Sequence, residues 1–101
     1  MTIESPGVLT LHGVKVAICT DHPEVPIQYL PLCAALAVKG GMNPEAALAA
    51  ITINPAQIAG IDNRVGSLTP GKDADIVVMS GHPINLLSRV RAVFISGKRI
   101  K

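Results

Sequence analysis

Aromatic side chains are almost absent from this sequence, which has Tyr29, Phe94 and no tryptophan. Binding of single-stranded nucleic acids uses aromatic rings as stacking platforms, so the scarcity of aromatic residues argues against this mode of binding. The formal net charge is only +2. We expect no nucleic-acid partner, and we interpret the basic C-terminal residues as the solvated faces of a hairpin, the alternative being an anion or nucleic-acid patch. These residues are Arg89, Arg91, Lys98, Arg99 and Lys101.

The sequence has no apolar run near the roughly 20 residues that span a bilayer, so no membrane partner is expected. Its first residues are polar, which argues against a signal peptide and favours a cytoplasmic protein. Only two cysteines occur, Cys19 and Cys33. Both lie in apolar runs without a C-x-x-C spacing, which predicts buried free thiols.

Hydrophobic residues make up 49% of the 101 residues. A domain of this size is small, and a 60-residue domain buries only about 60% of its unfolded surface. The apolar excess therefore predicts surfaces that another piece of protein covers.

Residues 1–60 carry helix signals on either side of one apolar, β-branched run. Ser5, Pro6 and Gly13 suggest the cap, the first turn and the end of a short helix. Residues 14–20 are almost continuously apolar, which is typical of a strand buried on both faces in a parallel sheet. Three more helices are expected over about 28–39, 44–51 and 54–60, the last two beginning at Asn-Pro pairs.

Residues 61–101 change to β signals. A strand is predicted over 75–79, and residues 90–95 and 98–100 pair naturally around Ser96 and Gly97 as a hairpin. We therefore expect a strand and helices in residues 1–60 and a small β unit in residues 61–101.

Asp21 is the strongest candidate for chemistry, because it ends the apolar strand. In (β/α)8 barrels the active site lies at that end of the strands. Ala17, Cys19 and Asp21 share one face of a strand, so small residues would lie beneath the carboxylate. The structural alternative is that Asp21 only caps the following loop.

His22 and Glu24 follow closely and are metal-ligand types. As a complete metal site this cluster is weak, because charged residues are common in loops. His12 and His82 lie far away in sequence, and we interpret both as surface or capping histidines.

Residues 66–72 match the phosphate-loop pattern G-x-x-x-x-G-K, but the next residue is Asp73 rather than Ser or Thr. The segment also leads into a predicted strand, whereas a phosphate loop must open a helix. A glycine-rich turn is the better interpretation.

The order of these segments resembles the end of the amidohydrolase superfamily, nearest its imidazolonepropionase-like members. The resemblance rests on the aspartate-ended run of residues 13–23, the A-I-T-I-N-P-A stretch within residues 47–60, and G-x-L-x-P-G-K-x-A-D-x-V over residues 66–77. It implies an α/β fold: the last strand and helices of a (β/α)8 (TIM) barrel in residues 1–60, and C-terminal strands of a composite β-sandwich in residues 61–101.

The resemblance implies a metal-dependent hydrolase of a non-peptide C–N bond in a small molecule, a cyclic amide or amidine. Asp21 would be both catalytic and a ligand of a divalent metal, zinc or iron, and His22 would contact substrate. Imidazolonepropionases usually have a different loop after this aspartate, so the reaction class is implied but not the substrate.

The family's H-x-H pair, later histidine ligands and bridging lysine are missing, and a full barrel needs about 250 residues. We therefore expect a C-terminal piece that is inactive alone, and whether it alone binds metal stays open. Two alternatives remain: a structural domain that self-associates, and one half of a split hydrolase whose N-terminal part completes the site.

Overall fold

The computed structural model describes residues 2–101. Within this part of the chain all helices precede Gly60 and all strands follow it. The helices are α1 (Ser5–Leu11), α2 (Leu30–Lys39), preceded by a 3-10 turn at Ile27–Tyr29, α3 (Pro44–Ala49) and α4 (Ile53–Ala59). The strands are β1 (Ile76–Met79), β2 (Val90–Ile95) and β3 (Lys98–Arg99).

Local signals set most helix ends. The side chain of Asn43 accepts hydrogen bonds from the backbone amides of Glu45 and Ala46, which caps α3 as expected. Gly60 ends α4 with a left-handed φ of 75°. The predicted cap at Ser5 is wrong: Glu4 precedes the helix, and the Ser5 hydroxyl instead accepts a bond from the Thr2 amide.

The helices pack around a core of small side chains. Met42 and Ile84 are its larger members. Ile84 lies in the loop between β1 and β2, so this loop fastens the β unit to the helices. Among residues 2–101 the six remaining buried apolar residues are all alanines, which lets the backbones approach closely: Ala34, Ala37, Ala47, Ala50, Ala56 and Ala92.

The strands form one antiparallel sheet in the order β1-β2-β3. Ile76 pairs with Phe94, and Phe94 pairs with Arg99. The β2–β3 connection consists of Ser96 (φ 51°) and Gly97 (φ 79°). Two consecutive positive φ values are the signature of a type I′ turn, so the predicted hairpin is confirmed.

The predicted parallel strand over residues 14–20 is wrong as a paired element, because the structure assigns no strand there. Sheet structure requires hydrogen bonds to a neighbouring strand, and residues 2–101 place no strand beside this segment. It does not join the β1-β2-β3 sheet either. The segment nonetheless has extended character: Val16, Ile18 and Thr20 are covered, and the alternate residues are exposed.

Large apolar side chains remain on the surface, as the composition predicted. Leu11, Leu68 and Leu87 are 85%, 81% and 87% exposed. The basic C-terminal residues are also exposed, as expected for the faces of a hairpin. Among the described helices, none has both the length and the apolar character to cross a membrane.

Candidate functional site

Asp21 lies in the turn directly after the extended segment, and its side chain is exposed. Its backbone has a φ of 53°. Aspartate is one of the few residues that adopt the left-handed region at modest cost. The Asp21 carbonyl oxygen accepts a hydrogen bond from the Glu24 amide at 2.8 Å. This turn breaks the direction of the chain and leaves the carboxylate free of the fold's own hydrogen bonds within residues 2–101.

Beneath Asp21 the exposed face of the segment consists of small side chains. Ala17 and Cys19 are exposed, whereas Ile18 packs against the core cluster. Cys19 and Cys33 are both free thiols, but the prediction that both are buried is wrong. Cys19 is exposed because it lies on the outward face of the segment, and Cys33 is half-buried. Two small residues thus leave open space on the side of the chain nearest the carboxylate.

His22 is exposed, and its ring is oriented by the backbone. The Ile27 amide donates a hydrogen bond to His22 Nδ1 at 3.1 Å. Because Nδ1 accepts, the neutral ring carries its proton on Nε2. Nε2 therefore offers an N–H donor to a ligand, whereas neither nitrogen of this tautomer has a free lone pair for a metal.

The other two histidines do not join this loop. His12 Nδ1 lies 2.9 Å from the Val8 carbonyl oxygen at the end of α1. His82 Nε2 lies 3.1 Å from Glu45 Oε1, and His82 Nδ1 accepts from the Ile84 amide. Both are used structurally, as the sequence suggested.

Residues 2–101 bring together no group of three or more His, Cys, Asp or Glu side chains able to hold a metal. Structural and catalytic zinc sites use at least three protein ligands. The donors of this part of the chain therefore do not fit a complete metal centre. Asp21 supplies one carboxylate, and no catalytic step through a metal follows from these residues alone.

The segment 66–72 is a turn and not a phosphate loop. It is followed by β1, and Lys72 Nζ donates to Ser67 Oγ at 2.8 Å instead of pointing into an anion site. Gly66 has a φ of 102°, and a Cβ placed there would lie 2.8 Å from the Ala56 Cβ. The glycine is thus required by backbone shape and by contact with α4.

Asn54 is the residue whose role the sequence did not reveal. Its pairing with Pro55 predicted a helix cap, but Thr52 is the residue before α4. The Asn54 side chain instead donates from Nδ2 to the Val16 carbonyl oxygen at 3.0 Å. No spacing signal marks such a contact, because the two residues are 38 positions apart.

A groove beside α4 does not include Asp21. It has a volume of about 590 Å³ and is lined mainly by apolar residues of α4 and of the segments on either side of it, including Ile51, Ala59, Ile61 and Leu68. Neither Asp21 nor His22 borders it. A second groove, with a volume of about 470 Å³, is lined by Ala17 and Cys19 of the extended segment and by Leu9 of α1, but not by Asp21 or His22.

The sequence model of the family described as "Amidohydrolase family" matches residues 3–100. An imidazolonepropionase of Geobacillus kaustophilus is 48% identical over 71 residues, which cover 67% of this chain and 17% of that protein. An adenine deaminase 1 of Desulfotalea psychrophila is 51% identical over 43 residues, covering 43% of this chain and 7% of that protein.

A crystal structure of an amidohydrolase from Thermotoga maritima MSB8 superimposes with a TM-score of 0.94 and 42% identity. The match covers 100% of this chain and 26% of that one. The chain thus spans about a sixth of the imidazolonepropionase and about a quarter of the Thermotoga protein. Because the family match covers nearly every residue and the fold agrees with a solved member, the chain belongs to the amidohydrolase family.

Proposed function

We propose that this chain is the C-terminal part of a metal-dependent amidohydrolase that hydrolyses a non-peptide C–N bond of a small molecule. The family match and the imidazolonepropionase and adenine deaminase relatives support a hydrolase acting on C–N bonds. A cyclic amide or amidine is the proposed substrate class. In this proposal residues 1–60 contribute the last strand and helices of a (β/α)8 barrel, and residues 61–101 contribute strands of a β-sandwich.

The observation that carries the proposal is the position of Asp21. A carboxylate without a hydrogen-bond partner within residues 2–101, exposed at the end of an extended segment with two small exposed residues, is suited to a site completed from outside. Asp21 would contribute one ligand to a divalent metal, zinc or iron, whose other ligands come from the rest of the enzyme. Such a metal supplies a water of lowered pKa when it is bound.

In this proposal two side chains of this chain have roles: Asp21 in proton transfer and His22 in hydrogen bonding to the substrate. Asp21 would accept a proton from the attacking water and return it to the leaving nitrogen if its carboxylate faces that water in the assembled site. His22 donates from Nε2 to a carbonyl or carboxylate oxygen of the substrate, since Ile27 holds Nδ1 as an acceptor. The tautomer supports a substrate-binding role for His22 and separates it from the metal role of Asp21.

The exposed apolar surface supports a partner that covers it. This chain spans only 17% of the imidazolonepropionase and 26% of the Thermotoga protein. The N-terminal part of such an enzyme is therefore the proposed partner. We therefore propose that the chain alone is inactive. Self-association and the split-hydrolase arrangement remain predictions, as does a cytoplasmic location.

The test is complementation. The chain is purified alone and together with the N-terminal three quarters of the Thermotoga protein, and both samples are assayed for bound metal and for hydrolysis of cyclic amides and amidines. Metal uptake and turnover only in the combined sample, both lost on Asp21→Asn, are expected. Turnover by the chain alone would disprove its inactivity, and unchanged turnover in Asp21→Asn would remove Asp21 from the site.

A further inference from the structure

The segment that carries Asp21 has no strand beside it within residues 2–101, yet its side chains alternate regularly between covered and exposed positions. A side-chain period of two is easily lost, because a slip of one residue moves every side chain to the opposite face. Within residues 2–101, contacts other than those of a sheet must therefore fix the register of residues 14–20. The register matters because it decides whether Asp21 or Thr20 faces outward.

Contacts from the end of α3 and from α4 fix this register. The Ile18 amide donates to the Ala50 carbonyl oxygen at 2.9 Å. Asn54 Nδ2 donates to the Val16 carbonyl oxygen at 3.0 Å, in a partly buried contact. In an extended chain the carbonyl of one residue and the amide two positions later point to the same edge. These two hydrogen bonds therefore both form along one edge of the segment.

A third hydrogen bond also joins the extended segment to α4. Lys15 Nζ donates to Gln57 Oε1. Asn54 and Gln57 are three residues apart, so they share one face of α4. Asn54 is free for this contact because it caps nothing: the Thr52 hydroxyl donates to the Leu48 carbonyl oxygen, and the α4 cap uses no side-chain bond.

We propose that Asn54 is a positioning residue for Asp21. It fixes the register of residues 14–20 through the Val16 carbonyl oxygen, and so sets the face on which the carboxylate emerges, roughly 16 Å further along an extended chain. Its functional meaning rests on the role proposed for Asp21. Its structural part, the anchoring of the segment by α4, holds independently of any metal or substrate.

The test uses the 101-residue chain with Asn54→Asp. This variant keeps the size of the side chain and removes the N–H donor. An acid in the first turn of α4 also favours the helix, so the fold should persist. Asn63→Asp is the matched control, since Asn63 is an exposed residue of the loop after α4. Amide hydrogen exchange is followed by NMR at Ile18 and at Ala50, whose amide bonds to the Ala46 carbonyl oxygen within the α3 region.

We expect Asn54→Asp to accelerate exchange of the Ile18 amide at least tenfold and to leave the Ala50 amide within about twofold, while Asn63→Asp changes neither. An unchanged Ile18 amide would overturn the proposal. Equal acceleration at Ile18 and Ala50 would also overturn it, because Asn54 would then serve general stability.

A second readout connects the anchor to the site. In the complemented enzyme, Asn54→Asp should lower kcat about tenfold or more and leave KM within twofold, and Asn54→Gln, which keeps an amide donor, should recover part of the loss. Unaltered kcat alongside faster Ile18 exchange would reject the link to Asp21. If the wild-type complemented sample shows no turnover, the proposed function fails, whereas the exchange result still decides whether Asn54 anchors the segment.

Discussion

The carboxylate of Asp75 accepts a hydrogen bond from the backbone amide of Ser96 at 2.9 Å. One residue away, the Gly97 amide donates to the Ala74 carbonyl oxygen at 3.0 Å. Residues just before β1 thus hold both residues of the β2–β3 turn, whose φ values are positive. The A-D pair of the family-specific motif therefore has a structural use in this chain.

Asp75→Ala should destabilise the chain by about 1 kcal/mol, the usual net contribution of one hydrogen bond, because the Ser96 amide loses its acceptor. Asp75→Asn should cost less, since its side-chain oxygen can still accept. Urea unfolding followed by circular dichroism measures both. Equal losses in the two variants would show that charge, and not the acceptor, matters at this position.

Thr10→Val should stabilise the chain by about 1 kcal/mol. The Thr10 hydroxyl oxygen is buried and has no hydrogen-bond partner among residues 2–101, and burying an unpaired hydroxyl is unfavourable. Valine has nearly the same shape without the polar atom. Thermal unfolding should show a rise of about 4–8 °C. A fall for Thr10→Val would mean that the hydroxyl is satisfied.

Gly66→Ala should destabilise more than Gly71→Ala. Both glycines have positive φ, 102° and 94°, so both substitutions carry backbone strain. Only at Gly66 would the new Cβ meet another atom, the Ala56 Cβ at 2.8 Å, whereas Gly71 faces open space. Overpacking typically adds about 1–3 kcal/mol. Equal midpoints in urea for the two variants would refute the close contact with α4.

Asp21→Asn should leave stability within about 0.5 kcal/mol, whereas Asp21→Ala should cost about 1 kcal/mol or more. The backbone at Asp21 has a φ of 53°, a region that asparagine adopts readily and alanine does not. Thermal melts of the purified chain compare the two. If Asp21→Asn were as unstable as Asp21→Ala, its use as a charge-only control in the complementation test would be lost.

Elements determined by local chemistry were predictable from sequence. Asn43 before Pro44 marked a helix start, and Ser96-Gly97 marked the hairpin turn. The apolar pattern of residues 14–20 predicted a parallel strand but could not determine its pairing, because a strand depends on neighbours that the pattern of its own side chains does not specify.

For the candidate site, the sequence predicted that Ala17, Cys19 and Asp21 share one face of the segment, and the structure exposes all three. The exposure of Cys19 contradicted its apolar context, because Cys19 lies on the outward face of the segment. The prediction that Asn54 caps a helix was wrong. An asparagine side chain can cap a helix or bond a distant carbonyl, and the sequence does not show which of the two it does. The metal and substrate roles of Asp21 and His22 stay predictions.

The core made mostly of alanines changes how this fold responds to mutation. Replacement by alanine, the common way to find core residues, leaves Ala34, Ala47 or Ala50 untouched. Sensitivity instead lies in enlargement, since one added methylene has no space where helix backbones nearly touch. The side-chain volume at these positions should therefore have an upper limit, so that glycine and serine are tolerated more often than valine or leucine.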